Sequence, residues 1–283
     1  MSSDLDNLIE LKEFIENNSN LEINIIHCKQ NMIYIEYFKN IIKYIFTIII
    51  LALIYYLFGR NIFFLILFFV FLYIILYIVG LNYFRKNSLN NEPLHMNFET
   101  GDILQEKNSF NLNRSNYSVI LCYIFNINYY HNFIIIKFKD KYFGLHCMNL
   151  NYSKAEYKLK FKNSNIEIIC LDSYINTNKN MFNINEYRLF RTENNINNKN
   201  ILKSLESLNI INMKFGIEPH FPSNKDDIIN RNTFNCCSFI LKLLNKLNII
   251  PLVNYHNFTP NDYVLLPELS NNFYKEPINI IYF

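Results

Sequence analysis

The sequence predicts an α+β domain over residues 95–283. Two consecutive runs, "HNFIIIKF" at 131–138 and "KYFGLHCM" at 141–148, are rich in the β-branched and aromatic residues that strands favour. Two later segments, 198–210 and 235–250, have the apolar spacing of amphipathic helices instead. A run of strands flanked by helices is typical of the α+β class.

Further strands are predicted along the same region. Residues 99–105 ("ETGDILQ") form a turn and a short strand, and 117–125 form a longer, β-rich strand. The segments "IEIICL" at 166–171 and "EYRLF" at 186–190 are two more strands. The tail at 258–269 is interpreted as a loop followed by a strand. No internal repeat is visible.

Composition restricts the class of protein. The chain has 283 residues, of which 51% are hydrophobic and 17% aromatic, so it has room for one ordinary domain and additional segments. The prevalence of Ile, Asn, Lys, Tyr and Phe indicates an A/T-rich genome, such as that of a virus, a parasite or an endosymbiont. The net charge is +3 and the basic residues are scattered, which argues against nucleic acid as a partner.

The cysteine pattern argues against a metal centre. The six cysteines are Cys28, Cys122, Cys147, Cys170, Cys236 and Cys237. None has the C-x-x-C spacing of zinc ribbons or thioredoxin-like sites, so neither a metal nor a cofactor is predicted. The polar, acidic first 38 residues do not have the pattern of a signal peptide, and we expect a reducing compartment.

Two apolar segments predict a transmembrane helical hairpin over residues 39–86. Residues 41–58 and 62–81 each approach the ~20 residues that cross a bilayer. They are separated only by Gly-Arg-Asn, and Arg60 at mid-membrane would cost about 2.5–3.5 kcal/mol. A hairpin removes this cost because it places Arg60 at the far surface.

Flanking charges predict the orientation. Lys39 and Lys43 accompany the first segment, and Arg85 and Lys86 follow the second. The positive-inside rule places both flanks in the cytoplasm, so an integral membrane protein with a cytoplasmic soluble domain is expected. In the alternative, only residues 62–81 span the bilayer, and the sequence then does not decide in which compartment the C-terminal domain lies. Residues 1–38 are expected to form a short cytoplasmic N-terminal segment that contains an amphipathic helix.

Residues 235–250, "NCCSFILKLLNKLNII", are predicted to form a helix that Pro251 ends, with Asn235 as its N-cap. At 100° per residue, Cys236 lies within the apolar stripe and Cys237 at its edge. The polar residues Ser238, Lys242 and Asn245 point away. The positive helix end favours a thiolate at Cys236, and its free N–H groups favour an oxyanion. The alternatives are packing, which is the usual role of a buried cysteine, and a soft metal at the cysteine pair, for which the spacing is unfavourable.

Two histidines are candidate partners of the thiol. If 131–138 and 141–148 form a hairpin that turns at Lys139–Asp140, His131 and His146 are diagonal neighbours on one face. A four-residue loop would place them directly opposite, and a three-residue loop would place them on opposite faces unless a bulge at Gly144 restores the phase. His131 would then be the general base and His146 would orient it. The alternative is that both are satisfied core histidines.

The remaining polar candidates are weaker. Four histidines flank the membrane segments or lie in loops, and they are His27, His95, His220 and His256. Asp102 fits a turn better than a catalytic acid, and Asn132 fits a strand residue better than a site residue.

These motifs together resemble the circularly permuted papain-like enzymes of the NlpC superfamily, which include YiiX-like, poxvirus-type and lecithin–retinol acyltransferase-like thiol hydrolases. The matching motifs are "GDIL" (101–104), "HNFIII" (131–136), "GLHC" (144–147), "NCCSFI" (235–240) and "FTPNDYV" (258–264). They cover about residues 99–266, with His before Cys as in the permuted order. The chain departs from the pattern in its doubled cysteine, its few glycines and a histidine at the third position, where many members carry Glu.

The resemblance implies a permuted papain-like catalytic domain over residues 95–283, with an antiparallel sheet or barrel packed on the nucleophile helix. It implies acyl transfer through a thioester on Cys236, with His131 and His146 as the other catalytic residues and Cys237 as the alternative nucleophile. With the hairpin as anchor, the expected partner is a lipid bilayer and the expected substrate a lipid ester or amide. A peptide or isopeptide substrate and an inactive structural membrane protein, viral in origin, are the alternatives.

Overall fold

The protein is described by a computed structural model that covers most of the predicted α+β domain. The described residues are 2–28, 49, 52, 55–56, 59, 64–65, 67–75, 92–93, 97–107, 129–148, 155–182, 186–210, 213–215, 233–251 and 278–281. The chain divides into two compact units. The first comprises Met1–Cys28, Leu89–Asn108 and Ile127–Phe283, and the second comprises Lys29–Ser88 and Ser109–Asn126.

The first unit contains four helices and eleven strands within the described residues. The helices are α1 (Ser2–Asn18), α2 (Leu171–Phe182), α3 (Asn198–Ser207) and α4 (Cys236–Lys246). The strands are β1 (Ile23–His27), β2 (Glu92–Pro93), β3 (Ile103–Lys107), β4 (Tyr129–Phe138), β5 (Lys141–Cys147), β6 (Tyr157–Phe161), β7 (Ile166–Cys170), β8 (Glu186–Phe190), β9 (Lys214–Phe215), β10 (Thr233–Phe234) and β11 (Ile278–Ile281).

Nine strands form one sheet in the order β1-β6-β7-β5-β4-β3-β8-β11-β2. Neighbouring strands are antiparallel, except for the parallel pair β11–β2 at one edge. Strands β9 and β10 form a separate parallel pair. The α+β class with an antiparallel sheet is therefore confirmed.

Both faces of the central strands are buried, which explains why their sequences are apolar without strict alternation. Along β4, Ile134 and Ile136 belong to the hydrophobic cluster that includes α1, α3 and α4. Phe133 and Ile135 belong to a second cluster, which includes the start of α2. The sheet thus separates two cores, and α4 packs on the first.

The β4–β5 hairpin has the predicted register. Phe138 pairs with Lys141 and Ile134 pairs with Leu145, so the turn is the two residues Lys139 and Asp140. Lys139 adopts the left-handed region with φ 54°. The pairing runs through Gly144 without a bulge. This parity places residues 131 and 146 on the same face of the sheet.

Within the predicted N-terminal segment over residues 1–38, the described residues 2–28 are part of the α+β unit. Strand β1 pairs along its whole length with β6 at the sheet edge. Leu8, Leu11 and Ile15 of α1 are buried in the same hydrophobic cluster as α4. The predicted amphipathic helix is confirmed, and its apolar side chains pack into the hydrophobic core beside the sheet.

Within the second unit, residues 67–75 are helical and their large apolar side chains, such as Phe68 and Phe71, are exposed. Among the described residues, no helix has both the length and the apolar character needed to cross a bilayer. Most of the predicted hairpin over 39–86 lies outside the described residues, so it stays a prediction.

Two other predictions also fall outside the described residues: the strand at 117–125 and the loop and strand at 258–269. The short strand after the turn at Gly101 is present as β3, and the predicted strands at 166–171 and 186–190 are β7 and β8. Helix α4 ends at Lys246, before Pro251, because Asn248 turns into the left-handed region with φ 58°.

Candidate active site

Helix α4 begins with the predicted N-cap. The Asn235 side-chain oxygen accepts the backbone N–H of Ser238 at 2.8 Å, and the Ser238 hydroxyl accepts the backbone N–H of Asn235 at 2.9 Å. This reciprocal capping box fixes the first turn, in which both cysteines lie. The prediction that Ser238 points away from the core is wrong: the residue is buried because its hydroxyl completes the cap.

The two thiols lie next to one another in this turn. The Cys236 and Cys237 sulfurs are 4.0 Å apart, and both residues are buried. The side-chain amide nitrogen of Asn132 donates to the Cys237 sulfur at 3.1 Å. Asn132, predicted as a plain strand residue, is therefore in contact with the site.

The Cys236 thiol lies against strand β4. Its sulfur accepts the backbone N–H of Asn132 and hydrogen-bonds to the His131 side chain. By strand alternation, His131 shares the face of Phe133, with ring centroids 4.6 Å apart, whereas α4 packs on the opposite face. The thiol therefore contacts both the backbone and the His131 side chain of β4.

Hydrogen bonding makes Cys236 the acidic thiol of the site. The hydrogen bond from Cys237 is the largest cause that lowers the pKa of Cys236 well below its ordinary value, and the charge and hydrogen bond of His131 and the Asn132 N–H add to it. Burial opposes them, since it disfavours a charged sulfur. The sum favours thiolate, the nucleophilic form of cysteine.

The two predicted histidines are in contact. His131 Nε2 and His146 Nδ1 are 2.6 Å apart, and both residues are buried. The Phe133 ring packs against both imidazoles, with centroid distances of 4.6 and 4.8 Å. The hairpin register alone therefore brings together the diagonal pair that the sequence predicted.

The polar chain continues past His146 to two residues that the sequence analysis missed. His146 Nε2 lies 3.5 Å from Glu167 Oε1, and Glu167 Oε2 lies 2.6 Å from Lys158 Nζ. The side chains of all three residues are only 1% exposed. A carboxylate inside the otherwise apolar run "IEIIC" was the signal that could have indicated it.

Burial is the main cause of the pKa shifts of His146 and Glu167. Burial, followed by the charges of His131 and Lys158, holds the pKa of His146 well below its ordinary value, so its ring is neutral near pH 7. Burial raises the pKa of Glu167, whereas the ammonium of Lys158 acts in the opposite direction. His146 is thus suited to relay a hydrogen bond rather than to carry a charge.

Two further polar pairs lie on β3, beside β4. Glu106 pairs across the strands with His131 and accepts the Tyr174 hydroxyl at 2.8 Å. On the other face, the Gln105 oxygen accepts two hydrogen bonds from Arg188, at 2.6 and 2.8 Å. Both pairs keep buried polar groups near the site satisfied.

The weaker sequence candidates do not belong to the series of contacting polar side chains that runs from Cys236 to Lys158. Asp102 accepts the backbone N–H groups of Glu99 and Thr192, each at 3.0 Å, which confirms its predicted role in the turn. His27 lies on β1 and stacks on Tyr157. The other three, His95, His220 and His256, lie outside the described residues. Among the residues that the structure describes, no group of three or more His, Cys, Asp or Glu side chains could hold a metal ion.

No protein-family model matches the chain, and a search of curated proteins also gives no match.

Proposed function

We propose that the α+β unit is a membrane-anchored thiol hydrolase or acyltransferase that acts on an ester or amide through a thioester on Cys236. The observation that carries this proposal is the continuous contact between a thiol in the first turn of α4, the His131 ring and the His146 ring. A nucleophile, a base and a group that orients the base are the three parts that such chemistry needs. The same features support the resemblance to permuted papain-like enzymes.

In the proposed reaction, His131 takes the Cys236 proton and the sulfur attacks the substrate carbonyl carbon. The resulting oxyanion would be stabilised by N–H groups at the start of α4, where the helix end is positive. As the carbon–oxygen or carbon–nitrogen bond breaks, His131 returns its proton to the leaving alcohol or amine. Water or another acceptor then attacks the thioester, with His131 as base, and the thiol is released.

The contacts favour Cys236 over Cys237 as nucleophile. Cys236 is hydrogen-bonded to the His131 side chain and to the backbone of Asn132. Cys237 instead accepts a hydrogen bond from the Asn132 side chain, which is a neutral amide and no base. Cys237 is therefore placed to donate to its neighbour rather than to react.

The predicted hairpin supports a lipid ester or amide as substrate, because it would hold the site at a bilayer surface. A test is to incubate the full chain in vesicles with acyl-labelled phospholipid and, separately, with a peptide library, and to look for acyl-Cys236 by mass spectrometry. Transfer of the labelled acyl group that disappears in Cys236→Ser and His131→Ala, but not in His27→Ala, supports the proposal.

Other outcomes have distinct meanings. Cleavage of peptides alone would assign the site to a peptidase or isopeptidase. If no substrate reacts and Cys236 is alkylated no faster than a free thiol, the chain is a structural membrane protein and the proposed chemistry is wrong.

A further inference from the structure

A buried ion pair lies at the inner end of the histidine chain. Glu167 and Lys158 are in contact at 2.6 Å, and each side chain is 1% exposed. Buried ion pairs contribute little net stability, since desolvation offsets their attraction. The position of this pair, next to His146, is therefore the feature to explain.

The sheet order creates this position. His146 and Glu167 are direct cross-strand partners on β5 and β7, and Lys158 on β6 is opposite Ile169, two residues from Glu167. The three side chains therefore lie on one face of adjacent strands. His131 on β4 adds the fourth member, so the chain crosses four neighbouring strands.

A carboxylate restricts which nitrogen of His146 carries a proton. Glu167 Oε1 faces His146 Nε2 at 3.5 Å, which is the distance of an ion-pair contact rather than of a hydrogen bond. An ionised carboxylate can only accept a proton contact, so at this position it favours the tautomer of His146 that is protonated at Nε2. In a neutral ring the other nitrogen, Nδ1, is then an acceptor. The 2.6 Å contact with His131 Nε2 therefore needs a proton on that nitrogen of His131.

The tautomer of His131 decides whether it can accept the proton of Cys236. A neutral His131 that is protonated at Nε2 has an unprotonated Nδ1, which can accept the proton of the Cys236 thiol. With the opposite tautomers, His131 would already carry a proton at Nδ1 and could not act as a base there. The choice between these two states depends on the group next to His146.

We infer that Glu167, held in place by Lys158, is a positioning residue that selects the tautomers of both histidines and so makes His131 a base toward Cys236. This inference rests on the proposed function for its catalytic meaning, but the tautomers themselves are independent of it. A second buried carboxylate, Glu106, lies next to the two histidines on the side of His131. It accepts a hydrogen bond from the Tyr174 hydroxyl. The neutral state of His146, whose pKa is lowered by burial, agrees with its role as an uncharged hydrogen-bond partner of His131.

The test reads the tautomers directly, by nitrogen NMR of the full chain labelled with ¹⁵N-histidine. In the unmodified protein, His146 should be protonated at Nε2 alone. Glu167→Gln should give mixed tautomers, because an amide can donate as well as accept, and should slow alkylation of Cys236 at pH 7 by about tenfold or more. Lys158→Arg, which keeps the pair, should retain the original tautomers.

Two variants keep the test decisive. Glu167→Gln leaves Lys158 without its anionic partner, so the double variant Glu167→Gln/Lys158→Met is used if the single variant does not fold. Glu156→Gln is the matched control, because Glu156 forms a partly exposed pair with His27, 3.8 Å away, and this pair is not part of the series of contacting side chains that includes His131 and His146. It should leave both readouts unchanged.

The outcomes separate this inference from the proposed function. Unchanged tautomers and an unchanged pH profile of alkylation in Glu167→Gln and in the double variant would overturn the inference, even in a reactive enzyme. A slow Cys236 in the unmodified protein, with the predicted tautomers, would overturn the proposed function and leave the positioning role intact.

Discussion

Cys236 and Cys147 are both buried in the same hydrophobic cluster, yet their ionisation differs in direction. Burial raises the pKa of Cys147 far above its ordinary value, and the nearby Cys236 and Glu167 raise it further. The pKa of Cys236 is lowered because Cys237, His131 and the Asn132 backbone all hydrogen-bond to its sulfur. The contrast shows that donors aimed at the sulfur, and not its position in the core, distinguish a nucleophile from a packing residue.

Cys170 supports the same conclusion on another strand. Burial raises its pKa to about 11, although the backbone of Ser173 donates a hydrogen bond to it. One donor does not compensate for burial together with the nearby carboxylates of Asp4 and Asp172, whereas the three donors at Cys236 outweigh burial. The first two of the following experiments each remove one of the donors at Cys236.

Removal of His131 should have the largest effect. His131→Ala deletes the base, so acyl transfer from the substrate should fall by about 10²–10⁴-fold, and alkylation of Cys236 should approach that of Cys147. Peptide-resolved mass spectrometry after iodoacetamide labelling measures the alkylation. His27→Ala is the control and should change neither rate; a His131→Ala protein with full activity would contradict the assigned base.

Removal of the neighbouring thiol should have the next largest effect. Hydrogen bonds to charged groups contribute about 1.5–3 kcal/mol, so Cys237→Ala should slow alkylation of Cys236 at pH 7 by about tenfold or more. The rate is compared with that of Cys147→Ala, which removes a neutral neighbour and should leave Cys236 reactivity unchanged. Faster reaction of Cys236 in Cys237→Ala would show that its neighbour hinders rather than supports it.

Removal of the helix caps separates stability from reactivity. Asn235 caps α4 and Asn197 caps α3 by the same side-chain bond to a backbone N–H. Each Asn→Ala change should lower the free energy of unfolding by about 1 kcal/mol, as measured by chemical denaturation. Only Asn235→Ala should also slow Cys236, since it disturbs the turn that holds the thiol; equal effects of both changes on Cys236 would indicate a general loss of structure.

The smallest expected effect is a change in how the free energy of unfolding depends on pH when Cys170 or Cys236 is replaced. Because the folded state raises the pKa of Cys170 to about 11, its contribution to stability is present at neutral pH and is lost as the pH rises toward that value. Cys236 has the opposite sign: its contribution is present above the pKa of the unfolded thiol, about 8.5, and is lost as the pH falls. Denaturation of Cys170→Ala and Cys236→Ser between pH 7 and pH 10 should therefore change the slope in opposite directions.

Local pattern was sufficient for the part of the site that lies on one helix and one hairpin. The apolar stripe of α4 and the cap at Asn235 place Cys236 at a buried helix start, and the parity of a two-residue turn places His131 beside His146. The contact between the thiol and His131 depends in addition on the docking of α4 on β4, which neither pattern gives. Lys158 and Glu167 lie on the consecutive paired strands β6 and β7, but their position beside His146 could not be found in this way, because β7 pairs with β5 although β6 lies between them in sequence. The docking of α1 depends on the same long-range pairing, since β1 joins β6 at the edge.

The most direct test of the account is the rate of Cys236 alkylation by iodoacetamide as a function of pH, with the half-buried Cys28 of the same chain as internal reference. We expect the alkylation rate of Cys236 to rise at a pH well below the value of about 8.5 that is usual for a free thiol, and we expect His131→Ala to move this rise to higher pH. A rise at or above the usual value, unaffected by His131→Ala, would contradict the claim that hydrogen-bond donors make this buried thiol a nucleophile.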